Sequence, residues 1–161
     1  MAPLVNNVTR FLDAKKVQYQ IFELSTEKLG ALESAQIMQV EPDLVYKTIV
    51  VTRSAAGKPL LAVVPGNAEV DLKALAKSIG EKKLNLATER EAERLTGLLA
   101  GGISPLALVN KGFEVVIDSS VEKWAFIHIS GGQRGLNIRL KPTDLIHLTK
   151  ARLASICTSS S

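Results

Sequence analysis

The stretch Val45-Tyr46-Lys47-Thr48-Ile49-Val50-Val51-Thr52 decides the fold. It is the run richest in β-branched and aromatic residues, the types that suit a pleated, half-buried surface. A second run, Leu60 to Val64, is the longest uninterrupted apolar stretch in the chain and stops at Pro65. Between the two lies Ser54-Ala55-Ala56-Gly57-Lys58-Pro59, which is turn chemistry. The pair therefore predicts a β-hairpin. Because a membrane-spanning helix needs about 20 apolar residues, neither run predicts one.

Working outward, residues 3–16 read as a helix with Leu4, Val8, Phe11 and Leu12 on one face. Lys15 and Lys16 fall at its C-terminal end, where the helix dipole favours cations. Val17 to Glu23 alternates with strand period. Residues 27–40 read as a helix with Leu32, Ala35 and Met38 facing inward, and Glu41-Pro42-Asp43 either breaks it or starts a short one. After the hairpin, Asp71 to Ile79 carries an apolar stripe of Leu72, Leu75, Ala76 and Ile79. Thr88-x-x-Glu91 is a capping box that opens a helix to about Leu95, and Gly97 closes it. Strands are expected at 106–109, 113–118, 124–130 and 136–140, with Gly131 to Gly135 joining the last two. Thr143 or Asp144 can cap a final helix through Lys150, and residues 154–161 read as a frayed tail. No repeat or linker divides the chain. The expectation is one α/β domain over residues 1–161 with a curved sheet.

Composition bounds the function. The 161 residues are 46% apolar and 22% charged, which excludes wholesale disorder. Twenty Lys and Arg against sixteen Asp and Glu give a net charge of +4, which permits an anionic partner. With only 4% aromatic residues, a base-stacking platform for single-stranded nucleic acid is not expected. There is one cysteine, Cys157, and there are two histidines, His128 and His147, with no CxxC or HExxH motif. That pattern weighs against a transition-metal site and fits a reducing, cytoplasmic setting. The first residues show no basic segment leading into an apolar stretch, so no secretory signal is read there.

Three segments are candidates for chemistry. Lys47 shares a strand face with Val45, Ile49 and Val51. Its ammonium either snorkels to water or stands as a cation at a pocket mouth. The loop Gly101-Gly102-Ile103-Ser104-Pro105 is either a tight crossover or a place where backbone N–H groups meet a ligand oxyanion. The turn Ser130-Gly131-Gly132-Gln133-Arg134-Gly135 holds more glycine than a hairpin needs. It is either a wide bulged hairpin with a solvated arginine, or a backbone shaped around a ligand with Arg134 pairing a phosphate. Neither Ser104 nor Ser130 sits in GxSxG, and no Walker loop is present. His128, in alternation with Trp124, Phe126 and Ser130, reads as a packed histidine rather than a base. Cys157 reads as inert. Lysines 73, 77, 82 and 83 form a solvated face or an electrostatic track for RNA.

Taken together, Val45-Tyr46-Lys47-Thr48, Gly101-Gly102-Ile103-Ser104-Pro105-Leu106 and Ile129-Ser130-Gly131-Gly132-Gln133-Arg134-Gly135-Leu136 resemble the YbaK/EbsC family of aminoacyl-tRNA deacylases. Leu140 and Asp144-Leu145 extend the match, which runs over residues 3 to 153. The resemblance implies a mixed, partly closed (barrel-like) sheet flanked by helices. It implies hydrolysis of the ester on mischarged tRNA, usually tRNA for proline carrying cysteine, alanine or another small amino acid. The partners implied are aminoacyl-tRNA and prolyl-tRNA synthetase, with no metal, cofactor or membrane. The family's key lysine matches Lys47. Its glycine loop matches Gly101 to Pro105, and its serine–glycine segment matches Ser130, Gly131 and Gly132. Tyr46, Thr48, Ile103, Ser104, Arg134 and Asn137 join them as expected substrate contacts, with Lys47, Gly101 and Gly102 in the catalytic role.

Two positions depart from the cysteine-specific branch. After the first strand this chain reads Ile21-Phe22-Glu23-Leu24, with no tyrosine, and it has Asn137 where that branch has an aspartate. The exchange removes a negative charge but keeps a hydrogen-bonding group. Beside a deacylase stand two other readings: a domain that binds aminoacyl-tRNA or a synthetase without turnover, and a small phosphate or nucleotide binder using the two glycine loops.

Overall fold

The computed structural model describes residues 5–54 and 57–158. In chain order the elements are α1 (Asn7–Ala14), β1 (Tyr19–Glu23), α2 (Ala31–Met38), β2 (Tyr46–Arg53), β3 (Leu60–Pro65), β4 (Glu69–Val70), α3 (Leu72–Ile79), β5 (Leu84–Leu86), α4 (Glu89–Thr96), β6 (Glu114–Asp118), β7 (Ile127–Ser130), β8 (Leu136–Leu140), α5 (Pro142–Thr149), β9 (Arg152–Ala154) and β10 (Cys157–Thr158). The expected hairpin is β2–β3, antiparallel, with Lys47 opposite Val64. It is the centre of a five-stranded mixed sheet ordered β5-β2-β3-β6-β9, in which β3, β6 and β9 run parallel.

The apolar run 60–64 is buried without a break because β3 has a core on both faces. Leu61 and Val63 face one cluster with Tyr46, Val50, Val115 and Ile117. Leu60, Ala62 and Val64 face the other, where Leu75 and Ala76 of α3 and Ile156 complete the packing. Over the first face lies an antiparallel sheet ordered β1-β8-β7. The two sheets touch through one parallel bridge, Val45 to His128, so the closure is partial. No helix among the described residues is long and apolar enough to cross a membrane.

Several expected elements are shifted or replaced, each for a local reason. The first helix starts at Asn7 because Asn6 caps it, its side chain accepting from Thr9 N at 2.9 Å; Leu4 lies outside the described residues. In α2 the buried residues are Ser34 and Ala35, and Leu32 is 52% exposed rather than inward. The expected strand 106–109 is instead a 3-10 turn, Pro105–Leu108. There Ser104 Oγ accepts from Leu106 N at 3.2 Å, and Pro105 supplies the fixed φ of a first helical turn, which together outweigh β propensity. The strand expected from 124 begins only at Ile127, since Asp118 caps a 3-10 turn over Ser119–Lys123. The last helix is capped by neither Thr143 nor Asp144; Lys141 is its N-cap and Pro142 its first residue. The frayed end is also corrected as far as it is described. Ile156 is fully buried, Asp118 Oδ1 accepts from its N–H at 3.0 Å, and β10 pairs with β4. Residues 159–161 lie outside the described residues.

Candidate active site

Alternation along β2 sorts its side chains. Tyr46 and Val50 go to the core beneath the three-stranded sheet, and by parity Thr48 shares that face. Ile49 and Val51 go to the α3 side, and Lys47 shares theirs. Along the β2 segment from Val45 to Val50, residues of the α2 and α4 segments, the 100–103 loop and the start of β8 line a cavity of about 510 Å³. That is within the range of about 300–1,000 Å³ typical of small-molecule sites. Tyr46, Lys47, Thr48, Gly101, Ile103, Ser130 and Asn137, brought from four separate segments, all line it. Gly102, Ser104, Pro105, Gly131, Gly132 and Arg134 do not; they build the loops that hold the lining.

The 101–105 loop and the 130–135 turn are pressed together. A Cβ on Gly102 would meet the backbone of Gln133 and Arg134 at 2.9 Å, so no larger residue fits there without moving a loop. Arg134 Nε donates to Ala100 O at 2.6 Å, so this arginine ties the loops rather than standing free in solvent. Asn6, the cap of α1, donates to Gly131 O at 2.9 Å and fastens the turn from the other side. Ser104 is fully buried and serves its own turn.

The glycine amides do not all serve as expected. Gly102 N donates to Leu99 O at 2.8 Å and Gly131 N to Leu136 O at 2.8 Å, so both N–H groups are committed inside the fold. Gly132 N donates to Ser130 Oγ at 3.3 Å. Gly101 is different. It is exposed, its φ of +89° requires glycine, and its N–H has no acceptor among the described residues. Tyr46 is also reassigned: its hydroxyl is 2.7 Å from Ser120 Oγ and the ring is in the core. Burial pushes that phenol's pKa up.

Lys47 is half-buried, and its Nζ lies 3.8 Å from Glu69 Oε1 on β4. Glu69 is 82% exposed, so the pair is worth no more than about 1 kcal/mol and yields readily to a competing anion. The Cys157 thiol beyond it is pushed up to about 12, by burial first and then by the charge of Asp118, with Lys47 pulling the other way. A thiol held protonated is a poor nucleophile, in keeping with an inert Cys157. Asp118 itself is held below the usual carboxylate range by hydrogen bonds, from Ser120 and from the Ile156 N–H, that outweigh its burial.

The sequence reading missed the opposite wall. Gly30, Ala31 and Ser34 of the α2 segment and Ala87 and Ala92 of the α4 segment line the cavity too, and an exposed Lys28–Glu89 ion pair joins the two segments. Small residues carry no motif, so only their placement reveals them. Leu24, at the end of β1, also lines the cavity.

Known proteins resemble this chain in sequence and in fold. A protein of Enterococcus faecalis described as a Cys-tRNA(Pro)/Cys-tRNA(Cys) deacylase, EbsC, is 34% identical over 154 residues, covering 94% of this chain and 93% of its own. The multifunctional Ser/Thr-tRNA deacylase ProXp-y of Escherichia coli is 28% identical over 97 residues, 60% of this chain and 58% of its own. The crystal structure of the hypothetical protein APE2540 superposes with a TM-score of 0.86 at 22% identity, over 95% of this chain and all of its own, and so shares the fold. Residues 27–148 match the aminoacyl-tRNA editing domain, a span that runs from the α2 wall of the cavity through β2, both glycine loops and Asn137. With that span and the likeness to EbsC, the chain belongs to the aminoacyl-tRNA editing domain family.

Proposed function

We propose that this chain is a trans-editing deacylase that hydrolyses the ester joining a wrong amino acid to the 3′ end of tRNA. The carrying observation is that Lys47, the free Gly101 amide and Asn137 line one cavity of small-molecule size. An aminoacyl ester is already activated, so attack by water needs no covalent intermediate. What it needs is a positioned substrate, limited access of bulk water and donors for the developing oxyanion.

Lys47 exchanges its weak contact with Glu69 for the phosphate of the terminal adenosine. The Gly101 N–H faces the ester carbonyl, and Ser130, Thr48 and Ile103 bound the space for the side chain. Alanines and glycines on the opposite wall fit a small amino acid, and tRNA for proline is the substrate we favour. One methylene is worth only about 1–3 kcal/mol, so such a wall selects by size with modest stringency. The protein acts in the cytoplasm on tRNA released by prolyl-tRNA synthetase.

The test is release of amino acid from tRNA charged separately with alanine, cysteine, serine, threonine and proline. Release from at least one mischarged species, abolished in Lys47→Ala with the fold intact, is the expected result. Salt-sensitive tRNA binding with no release from any of them would leave a binding domain instead.

A further inference from the structure

His128 is fully buried on β7, and neither of its ring nitrogens is idle. Its Nδ1 lies 3.0 Å from Asn137 Oδ1, and Arg139 Nε donates to its Nε2 at 3.2 Å. Both partners are on β8, where Arg139 is directly opposite His128. The guanidinium has only donors and does not deprotonate in proteins. Nε2 must therefore offer its lone pair. In a neutral imidazole the single N–H is then on Nδ1, which donates, and its partner on Asn137 must be the amide oxygen.

Burial, followed by the charge of Arg139, holds His128 below its ordinary pKa, against an upward pull from Asn137, and so keeps the ring neutral. Arg139 is itself fixed. Its guanidinium lies 4.1 Å from the Phe126 ring centroid and 5.2 Å from that of Phe22, and Nη1 donates to Gln20 Oε1 at 3.3 Å. Phe22 also meets the imidazole edge-on at 5.1 Å.

With Oδ1 turned to His128, the polar atom Asn137 has left is Nδ2. It has no acceptor among the described residues, yet no buried side-chain polar atom among them is without a partner. Nδ2 is therefore accessible, and Asn137 lines the cavity. We infer that His128 is a positioning residue: through its Nδ1–H it turns Asn137 so that the site meets the substrate with an amide N–H donor. That donor recognises an acceptor oxygen, the ester carbonyl as it gains negative charge, and gives no attraction to an α-ammonium. The inference rests on the deacylase reading for its substrate but not for its hydrogen-bond pattern.

The test has two arms on the full-length chain. Ring-nitrogen NMR on protein labelled with 15N-histidine, with His147→Gln assigning the second of the two histidines, should show His128 neutral with its proton on Nδ1. A proton on Nε2 would overturn the inference. In the second arm, Asn137→Asp replaces the donor by a charged acceptor. It should lower kcat by about a hundredfold with little change in KM. His128→Leu should do the same, and His128→Asn, whose amide N–H can stand near the place of Nδ1–H, should restore most of kcat. Wild-type kcat in Asn137→Asp would also overturn the inference. If His128→Leu fails to fold, the Asn137→Asp and His128→Asn variants still decide. If the wild type releases nothing from any charged tRNA, the deacylase reading fails by itself. The donor is then read by calorimetry with a phosphonate analogue of alanyl-adenosine, whose tetrahedral anion stands for the developing oxyanion and which Asn137→Asp should bind at least tenfold more weakly; equal binding would sink the inference.

Discussion

Lys47 and Asn137 line the same cavity, yet the fold holds them very differently. Among the described residues the Lys47 ammonium has a single ionic partner, the exposed Glu69 carboxylate at 3.8 Å. Asn137 is buried and hydrogen-bonded to a histidine that is itself held by an arginine over two aromatic rings. A long flexible cation suits a mobile, strongly charged phosphate, because Coulomb attraction tolerates loose geometry. A neutral amide gains only when its N–H points along the right line, so it needs a rigid setting. The comparison teaches that one wall is loosely held and the other rigid, which on the proposed reading fits the first to capture and the second to orient.

Breaking the capturing wall should have the largest effect. Lys47→Ala is expected to lower kcat/KM for ester hydrolysis by at least about a hundredfold while the thermal midpoint stays near wild type, which activity and melting measurements check together. Glu69→Gln sharpens the same point, since removing so weak a partner should leave both quantities nearly unchanged. Next in size is Gly102→Ala. Its Cβ would strike the Gln133–Arg134 backbone at 2.9 Å, and overpacking of this kind costs about 1–3 kcal/mol. Denaturant unfolding should show that loss, with activity falling because the Gly101 loop shifts.

The orienting wall predicts a pH signature. His128 has a folded-state pKa below its ordinary 6.5, so the unfolded chain binds more protons than the folded one as the pH falls through 6.5. Stability is thus greater at neutral pH and declines between 6.5 and the lower folded value. In His128→Asn that part of the decline should vanish from a series of unfolding curves; an unchanged slope would mean the imidazole is not the source. The smallest effect belongs to Tyr46→Phe. It removes the hydroxyl that lies 2.7 Å from Ser120 Oγ, so about 1 kcal/mol of stability should be lost with little change in deacylation.

These differences follow what could be read from the residues. The β2–β3 hairpin, the Thr88–Glu91 cap and the stripe of α3 were legible because each is decided within a few residues by period and turn chemistry. Lys47, Gly101, Ser130 and Asn137 were legible as a group through the family resemblance, and they do line one cavity. The roles of Tyr46, Gly102 and Arg134 were not. A hydroxyl, an N–H and a guanidinium look available in any sequence, and only the fold shows that Ser120, Leu99 and Ala100 already occupy them. The 3-10 turn at 105–108 was missed because a serine capping its own turn overrode apolar residues that suit a strand.

Much of the local order was thus written in the chain: that the runs 45–52 and 60–64 pleat, that 71–79 and 88–95 coil, and which residues carry charge. Backbone preference and side-chain period act over a handful of residues and need no distant partner. Which polar atoms remain free for a ligand was settled only when distant segments packed. A hydrogen bond is spent on whichever partner arrives, and those that fix Arg134, Gly131 and Asn6 bridge 34 to 125 positions of chain.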